Sequence, residues 1–95
     1  MLAYLIAEIE VTDPSAYEQY RALTPAAIAK HGGRFIVRGG TVETREGDWK
    51  PQRLVVVEFP SMDAARRFYD SPEYAAALAI RLRAARSRLI IAEGA

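Results

Sequence analysis

Residues 3–11 read Ala3-Tyr4-Leu5-Ile6-Ala7-Glu8-Ile9-Glu10-Val11, and residues 53–59 read Arg53-Leu54-Val55-Val56-Val57-Glu58-Phe59. Both stretches alternate with a period of two, the spacing that sends successive side chains to opposite faces of a β-strand. In the first, Ala3, Leu5, Ala7, Ile9 and Val11 form a wholly apolar face against Tyr4, Ile6, Glu8 and Glu10. In the second, Val55, Val57 and Phe59 oppose Leu54, Val56 and Glu58.

Working outward, Asp13-Pro14 marks a helix start, because Asp accepts an orphan backbone N–H and Pro suits the first helical position. That helix carries Tyr17, Tyr20 and Leu23 at three-residue steps. Thr24-Pro25 repeats the signal and predicts a kink or a second short helix through Lys30, and His31-Gly32-Gly33 ends it. Arg34–Arg38 reads as a strand with Phe35 and Val37 on one side and Arg34, Ile36 and Arg38 on the other. Gly39-Gly40 predicts a bulge or bend before Thr41–Arg45 resumes the strand, and Glu46-Gly47-Asp48 a turn. Ser61 caps a helix to about Asp70, Ser71-Pro72 opens another to about Arg86, and Leu89–Ala92 closes as a fourth strand.

The resulting order, β-α-β-β-α-β, is that of the α+β ferredoxin-like plait: a four-stranded antiparallel sheet with helices on one face, built as a single domain over residues 1–95. If helices cover Leu5, Ala7, Ile9, Val55, Val57 and Phe59, the other face exposes Tyr4, Ile6, Leu54 and Val56. Those side chains are too apolar to sit well in water. A second copy of the same sheet is the simplest cover, so a two-fold homodimer resembling an α/β barrel is expected.

At 95 residues, with 51% hydrophobic composition, the chain has the size of one small domain, which gains much from a partner subunit. Thirteen basic against twelve acidic side chains leave too little positive charge for a dedicated nucleic-acid binder. The absence of cysteine excludes disulfides, thiolate catalysis and Cys-based metal sites, and with one histidine no metal site is expected. The apolar runs fall short of the ~20 residues of a membrane span, so a cytoplasmic protein without membrane partners is expected.

Several motifs fall in a characteristic order: His31-Gly32-Gly33-Arg34-Phe35-Ile36-Val37-Arg38-Gly39-Gly40, then Glu46-Gly47-Asp48-Trp49, Arg53–Pro60, and Tyr69-Asp70-Ser71-Pro72-Glu73-Tyr74. With Asp13-Pro14, Tyr17 and Tyr20 ahead of them, the chain resembles, over nearly its whole length, the domain-of-unknown-function family numbered 1330. That resemblance implies a ferredoxin-like fold in the dimeric α/β-barrel superfamily, which also holds cofactor-free monooxygenases, muconolactone isomerases and haem-handling enzymes. It implies no particular activity.

By alternation, Glu8, Glu58, Arg34 and Arg38 point away from the helices, where two carboxylates and two guanidiniums could share a cleft. Two readings stay open. Either the four groups form an ion network that fixes dimer register, or they tune a carboxylate and bind a small anionic ligand bidentately. On the second reading His31, Glu58 and Arg38 are the catalytic candidates, His31 as a proton shuttle. Tyr4, Glu8, Arg34, Trp49 and Tyr69 are the ligand-binding candidates. His31 equally suits a helix C-terminus, Tyr69 amphipathic packing and Trp49 a dimer contact. The run Arg81, Arg83, Arg86, Arg88 reads as a solvated helix end. The function expected is cofactor-independent binding or conversion of a small apolar and anionic metabolite in a cleft between sheets. The alternative is a non-catalytic dimerisation or regulatory module.

Overall fold

Period-two alternation places one set of side chains of each strand against helices, and the computed structural model, which describes residues 1–95, follows that rule closely. The elements run β1 (Ala3–Val11), α1 (Pro14–Lys30), β2 (Arg34–Arg38), β3 (Arg53–Phe59), α2 (Met62–Tyr69), α3 (Pro72–Ala84) and β4 (Ala85–Glu93). The strands form one antiparallel sheet in the order β2-β3-β1-β4, which is the ferredoxin-like arrangement. In the register, Leu5 faces Val57 and Ile91, and Ala7 faces Val55 and Leu89. The small and branched residues of three strands therefore stack on the helix side.

The helices begin where capping chemistry dictates. Asp13 accepts from the Ala16 N–H at 3.2 Å, Ser61 from Ala64 at 3.0 Å and Ser71 from Tyr74 at 3.2 Å. Helices α2 and α3 supply the aromatic centre of the core. The Phe68 ring lies 5.3 Å from Phe59 and 4.4 Å from Tyr74, distances at which aromatic pairs attract.

Four local expectations are corrected. Thr24-Pro25 does not open a second helix: α1 runs through Pro25 to Lys30 as one element. The third helix stops at Ala84 instead of Arg86, because Ala85–Arg88 pair with Val11–Glu8 and extend β4. No strand resumes at Thr41–Arg45; that segment belongs to a long irregular loop between β2 and β3.

The fourth correction bears most on the site. A β-bulge between Phe35 and Val37 inserts Ile36 as an extra residue, so Phe35 pairs with Val57, Val37 with Val56 and Arg38 with Val55. A one-residue slip exchanges the faces of everything after it. Val37 therefore lies on the uncovered face, and Arg38 on the helix side.

Gly33 is required by close approach: a Cβ there would meet Phe59 Cε1 at 2.6 Å and Ile28 Cγ2 at 2.9 Å. At Gly40 the same atom would meet nothing within 4 Å. Gly33→Ala should therefore lower stability by about 1–3 kcal/mol through overpacking. Gly40→Ala should stay within about 1 kcal/mol of the parent. Urea unfolding of the two variants checks this, and equal losses would contradict the packing assigned to Gly33.

Candidate functional site

The uncovered face of the sheet carries Tyr4, Ile6, Val37, Leu54, Val56 and Ile90, with Ile90 60% exposed. Glu8 stands among them with both oxygens occupied. Arg88 Nε donates to Oε1 at 2.7 Å and Trp49 Nε1 donates to Oε2 at 2.6 Å. These contacts, the Trp49 hydrogen bond first and Arg88 second, hold the Glu8 carboxyl below its ordinary range. Trp49 is thereby drawn from the β2–β3 loop onto the sheet, where an open groove of about 610 Å³ runs between it, Lys50, Leu54, Arg88 and Ile90.

Glu58 pairs with Arg34 at 3.0 Å on the same face. Glu8 lies opposite Leu54 and Glu58 opposite Tyr4, four residues apart along the strand, which is roughly 13 Å at 3.3 Å per residue. The two carboxylates thus sit at opposite ends of the face, each with its own arginine, and do not share one cleft.

His31, Glu58 and Arg38 are not brought together. His31 caps the C-terminus of α1, and its Nε2 lies 3.1 Å from Glu73 Oε1. Lys30 Nζ lies 3.5 Å from the same oxygen. Partial desolvation works against the Glu73 charge. The His31 hydrogen bond, the residue's own backbone N–H and Lys30 outweigh it and hold the carboxyl below its ordinary range. Tyr69 lies on the helix side, its ring 5.8 Å from Tyr74, away from Tyr4, Glu8, Arg34 and Trp49.

Arg38 lies on the other side of the sheet, among a different set of polar groups. Between the sheet and α1 lies a cavity of about 30 Å³ with a largely apolar wall that includes Leu5, Ile9, Phe35 and Val57. Its polar groups are Arg21, Thr24, Arg38 and Arg53 and the hydroxyls of Tyr17, Tyr20 and Tyr74. No carboxylate and no histidine lines it. The Arg38 guanidinium sits 4.2 Å above the Phe35 ring, and Arg53 Nε donates to the Tyr17 hydroxyl at 3.1 Å.

Pro25 explains how Arg38 is held. In an α-helix the N–H of residue 25 would bond to the carbonyl of residue 21. Proline has no N–H, so the Arg21 carbonyl is left free. Arg38 Nη2 donates to that oxygen at 3.0 Å, and Thr24 Oγ1 approaches it at 3.4 Å. Arg53 is seated by Gly39, whose φ is +73°; any Cβ at that position would strike the Arg53 guanidinium.

The model of one family, Domain of unknown function (DUF1330), matches residues 2–95. The chain belongs to the DUF1330 family. No curated protein matches it. Among solved structures, it is similar to a protein of unknown function from Rhodopseudomonas palustris. That pair has 20% identity and a TM-score of 0.78 over 99% of this chain and 82% of that one. A dimeric ferredoxin-like protein of unknown function from Jannaschia sp. CCS1 gives 12% identity, 99% and 100% coverage, and a TM-score of 0.78. SnoaB, a cofactor-independent oxygenase from Streptomyces nogalater, gives 19% identity, 99% and 93% coverage, and a TM-score of 0.71. At these identities the likeness is one of fold.

In this DUF1330 protein the helix-side polar groups were the ones that strand alternation missed. Arg81 is only 3% exposed, contrary to its reading as part of a solvated helix end. A signal existed: Tyr74, Ala77, Arg81 and Ala84, the buried residues of α3, recur at steps of three and four, which is one face of a helix. For Arg38 the only signal was Gly39-Gly40, which marks a disturbed strand end without saying on which residue the bulge falls.

The Glu8 clamp sets a pH dependence. A carboxyl whose pKa is depressed by folding adds stability above its unfolded value and loses that contribution as pH falls through the depressed one. Fluorescence of Trp49, the sole tryptophan, should stay constant from pH 7 to below 4.5, the ordinary Glu value, and change only at more acid pH. Glu8→Gln should abolish that step. A step centred above 4.5 would contradict the clamp.

Proposed function

We propose that this DUF1330 protein is a homodimer that binds a small apolar molecule bearing an anionic group, without a cofactor, in the cavity between its sheet and α1. The observation that carries this reading is the lining of that cavity: three guanidiniums and three tyrosine hydroxyls set into an apolar wall with no carboxylate among them. Arg21 pairs with Glu18 at 3.1 Å, but Arg38 and Arg53 have no carboxylate partner, and even half-burying a charge without a counter-ion is costly. Aromatic faces and one backbone carbonyl offset part of that cost for Arg38 and Arg53. An anionic ligand would offset the rest and use the planar guanidinium forks.

The cavity as it stands has room for one or two waters. Arg38 and Arg53 are only half-buried and lie on flexible stems, so ligand entry requires them to turn outward. A cofactor-independent oxygenase shares the fold. The same economy suits this cavity, which offers no carboxylate, imidazole or thiol as a base. Any conversion would draw on the acidity of the ligand itself, increased by guanidiniums that favour its anion.

The homodimer rests on the uncovered face. Its apolar residues need a cover, and ferredoxin-like neighbours from Jannaschia sp. CCS1 and Thermobifida fusca are dimeric. In this arrangement Tyr4, Glu8, Arg34, Glu58 and Trp49 serve the subunit interface, and Arg38 serves the ligand. The Arg34–Glu58 and Arg88–Glu8 pairs favour a second reading, a dimerisation module without a ligand.

Benzoate tests the choice by calorimetry and thermal shift. It should stabilise the parent, and Arg38→Met and Arg53→Met should each weaken binding at least about ten-fold, or 1.4 kcal/mol. Pro25→Ala should raise stability by about 1–3 kcal/mol, by restoring the helical hydrogen bond, while weakening benzoate binding through competition for the Arg21 carbonyl. Indifference to benzoate, salicylate and phenolates alike would leave the dimerisation module. Separately, sedimentation should find a dimer that Val56→Glu dissociates, and a parent monomeric at micromolar concentration would remove the dimer.

A further inference from the structure

One hydroxyl in the cavity wall has its proton assigned by chemistry. Tyr17, 4% exposed, meets Arg53 Nε at 3.1 Å. A guanidinium can only donate, so the Tyr17 oxygen is the acceptor and its own proton is left over. No group of the protein takes that proton, since the Arg53 bond is the only one the hydroxyl makes. A buried hydroxyl in this state forfeits a hydrogen bond that a suitable acceptor would restore. The Arg53 guanidinium carbon lies 5.5 Å from the centre of the Tyr17 ring, and both residues line the cavity. Only Nε of Arg53 is spent on Tyr17, and its two Nη atoms are free to donate elsewhere.

Arg53 is held in this position from behind. Gly39 donates its N–H to the Leu54 carbonyl at 2.9 Å, which ties its backbone to the residue next to Arg53. A Cβ at Gly39 would lie 2.6 Å from the Arg53 guanidinium carbon, so the arginine would have to leave. Gly47 has nearly the same φ, +77° against +73°, but nothing within 4 Å of its own added Cβ. The two glycines share a backbone constraint, and Gly39 alone of the pair touches the cavity's chemistry. The register adds a direction. Arg53 opens β3 and Arg38 closes β2 at one end of the cavity, whereas Phe35 and Val57, paired with each other, lie further along the sheet.

We infer that Tyr17 and Arg53 form a paired receptor for a carboxylate, the Tyr17 hydroxyl donating to one oxygen and an Arg53 Nη atom to the other, and that the ligand class is small apolar monocarboxylates. The inference rests on the cavity reading above and names its ligand chemistry. Two donors on neighbouring side chains suit an anion with two oxygens, whereas a phenolate must draw both to one atom. The apolar body of the ligand lies toward Phe35 and Val57. Arg53 swings aside for entry and returns to Tyr17 behind the carboxylate. Tyr17 and Arg53 touch the ligand; Gly39 is a positioning residue that acts through Arg53.

Benzoate is the probe, and benzamide, of nearly the same outline but uncharged, is the reference. Each variant is scored by calorimetry as its benzoate affinity relative to its benzamide affinity, a ratio that loss of packing alone would leave in place. Tyr17→Phe should lower the ratio about ten-fold, the scale of a hydrogen bond to a charged group, and Arg53→Met at least as much. Combined, the two should cost less than the product of the separate losses, because each removes part of the same receptor. Gly39→Ala should lower the ratio and Gly47→Ala leave it at the parent value, although both place a side chain at a positive φ. A ratio unchanged in Tyr17→Phe, while Arg38→Met still weakens benzoate, overturns the receptor and spares the cavity. A parent that binds 4-nitrophenolate but not benzoate does the same. A parent that binds neither overturns both. Losses that multiply in the double variant overturn the pairing of Tyr17 with Arg53, and a parent ratio in Gly39→Ala removes Gly39 from it.

Discussion

A sheet has two faces, and this chain supplies helices for only one of them. That constraint organises the rest of the molecule. On the covered side Ala3, Leu5, Ala7 and Ile9 pack against helices at a few per cent exposure or less. On the other side Tyr4, Ile6, Leu54 and Val56 remain half-exposed, interrupted by Glu8 and Glu58 with their arginines. An apolar centre with ion pairs around it matches the general anatomy of a protein interface, where charges are depleted from the core of the patch. The covered side has the opposite character, an apolar wall in which the charged groups lining the cavity are guanidiniums.

The fold was legible in the sequence because its signals are local and strong. The alternation in Ala3–Val11 and Arg53–Phe59 fixed the facing of the two central strands, and three capping residues placed the helix starts. The site was far less legible, and the reason is a single inserted residue. Alternation carries facing along a strand only while the register holds, and the bulge at Ile36 reverses it for Arg38. The same arithmetic that placed Glu8 and Glu58 correctly on the open face thus put Arg38 on the wrong one. Arg81 escaped for a different reason: arginine is seldom buried, so the composition prior outweighed a helical spacing that pointed inward.

Local rules were also overridden where another group took over the lost interaction. Proline within a helix removes a hydrogen bond, which argued for a kink or a second short helix at Thr24-Pro25. In α1 the helix continues, and the orphaned Arg21 carbonyl accepts from a guanidinium arriving from β2. Strand propensity at Thr41–Arg45 failed for want of a partner, since β3 begins only at Arg53 and pairs with β2 and β1 alone.

These departures converge on one place. The bulge sends Arg38 inward, Pro25 provides the oxygen that holds it, and Gly39 clears the space in which Arg53 lies. None of the three helps the fold as such. A regular strand, an uninterrupted helical ladder and an alanine at a relaxed backbone angle would each be more stable. Features that cost stability and cluster around one cavity are the pattern expected of a functional site. Segregation of charge makes the same point electrostatically. Glu8 and Glu58 pair with Arg88 and Arg34 on the uncovered face and Glu18 pairs with Arg21, whereas Arg38 and Arg53 have no carboxylate partner. On the reading proposed above, the two guanidiniums without an acid partner are what would favour an anion in the cavity.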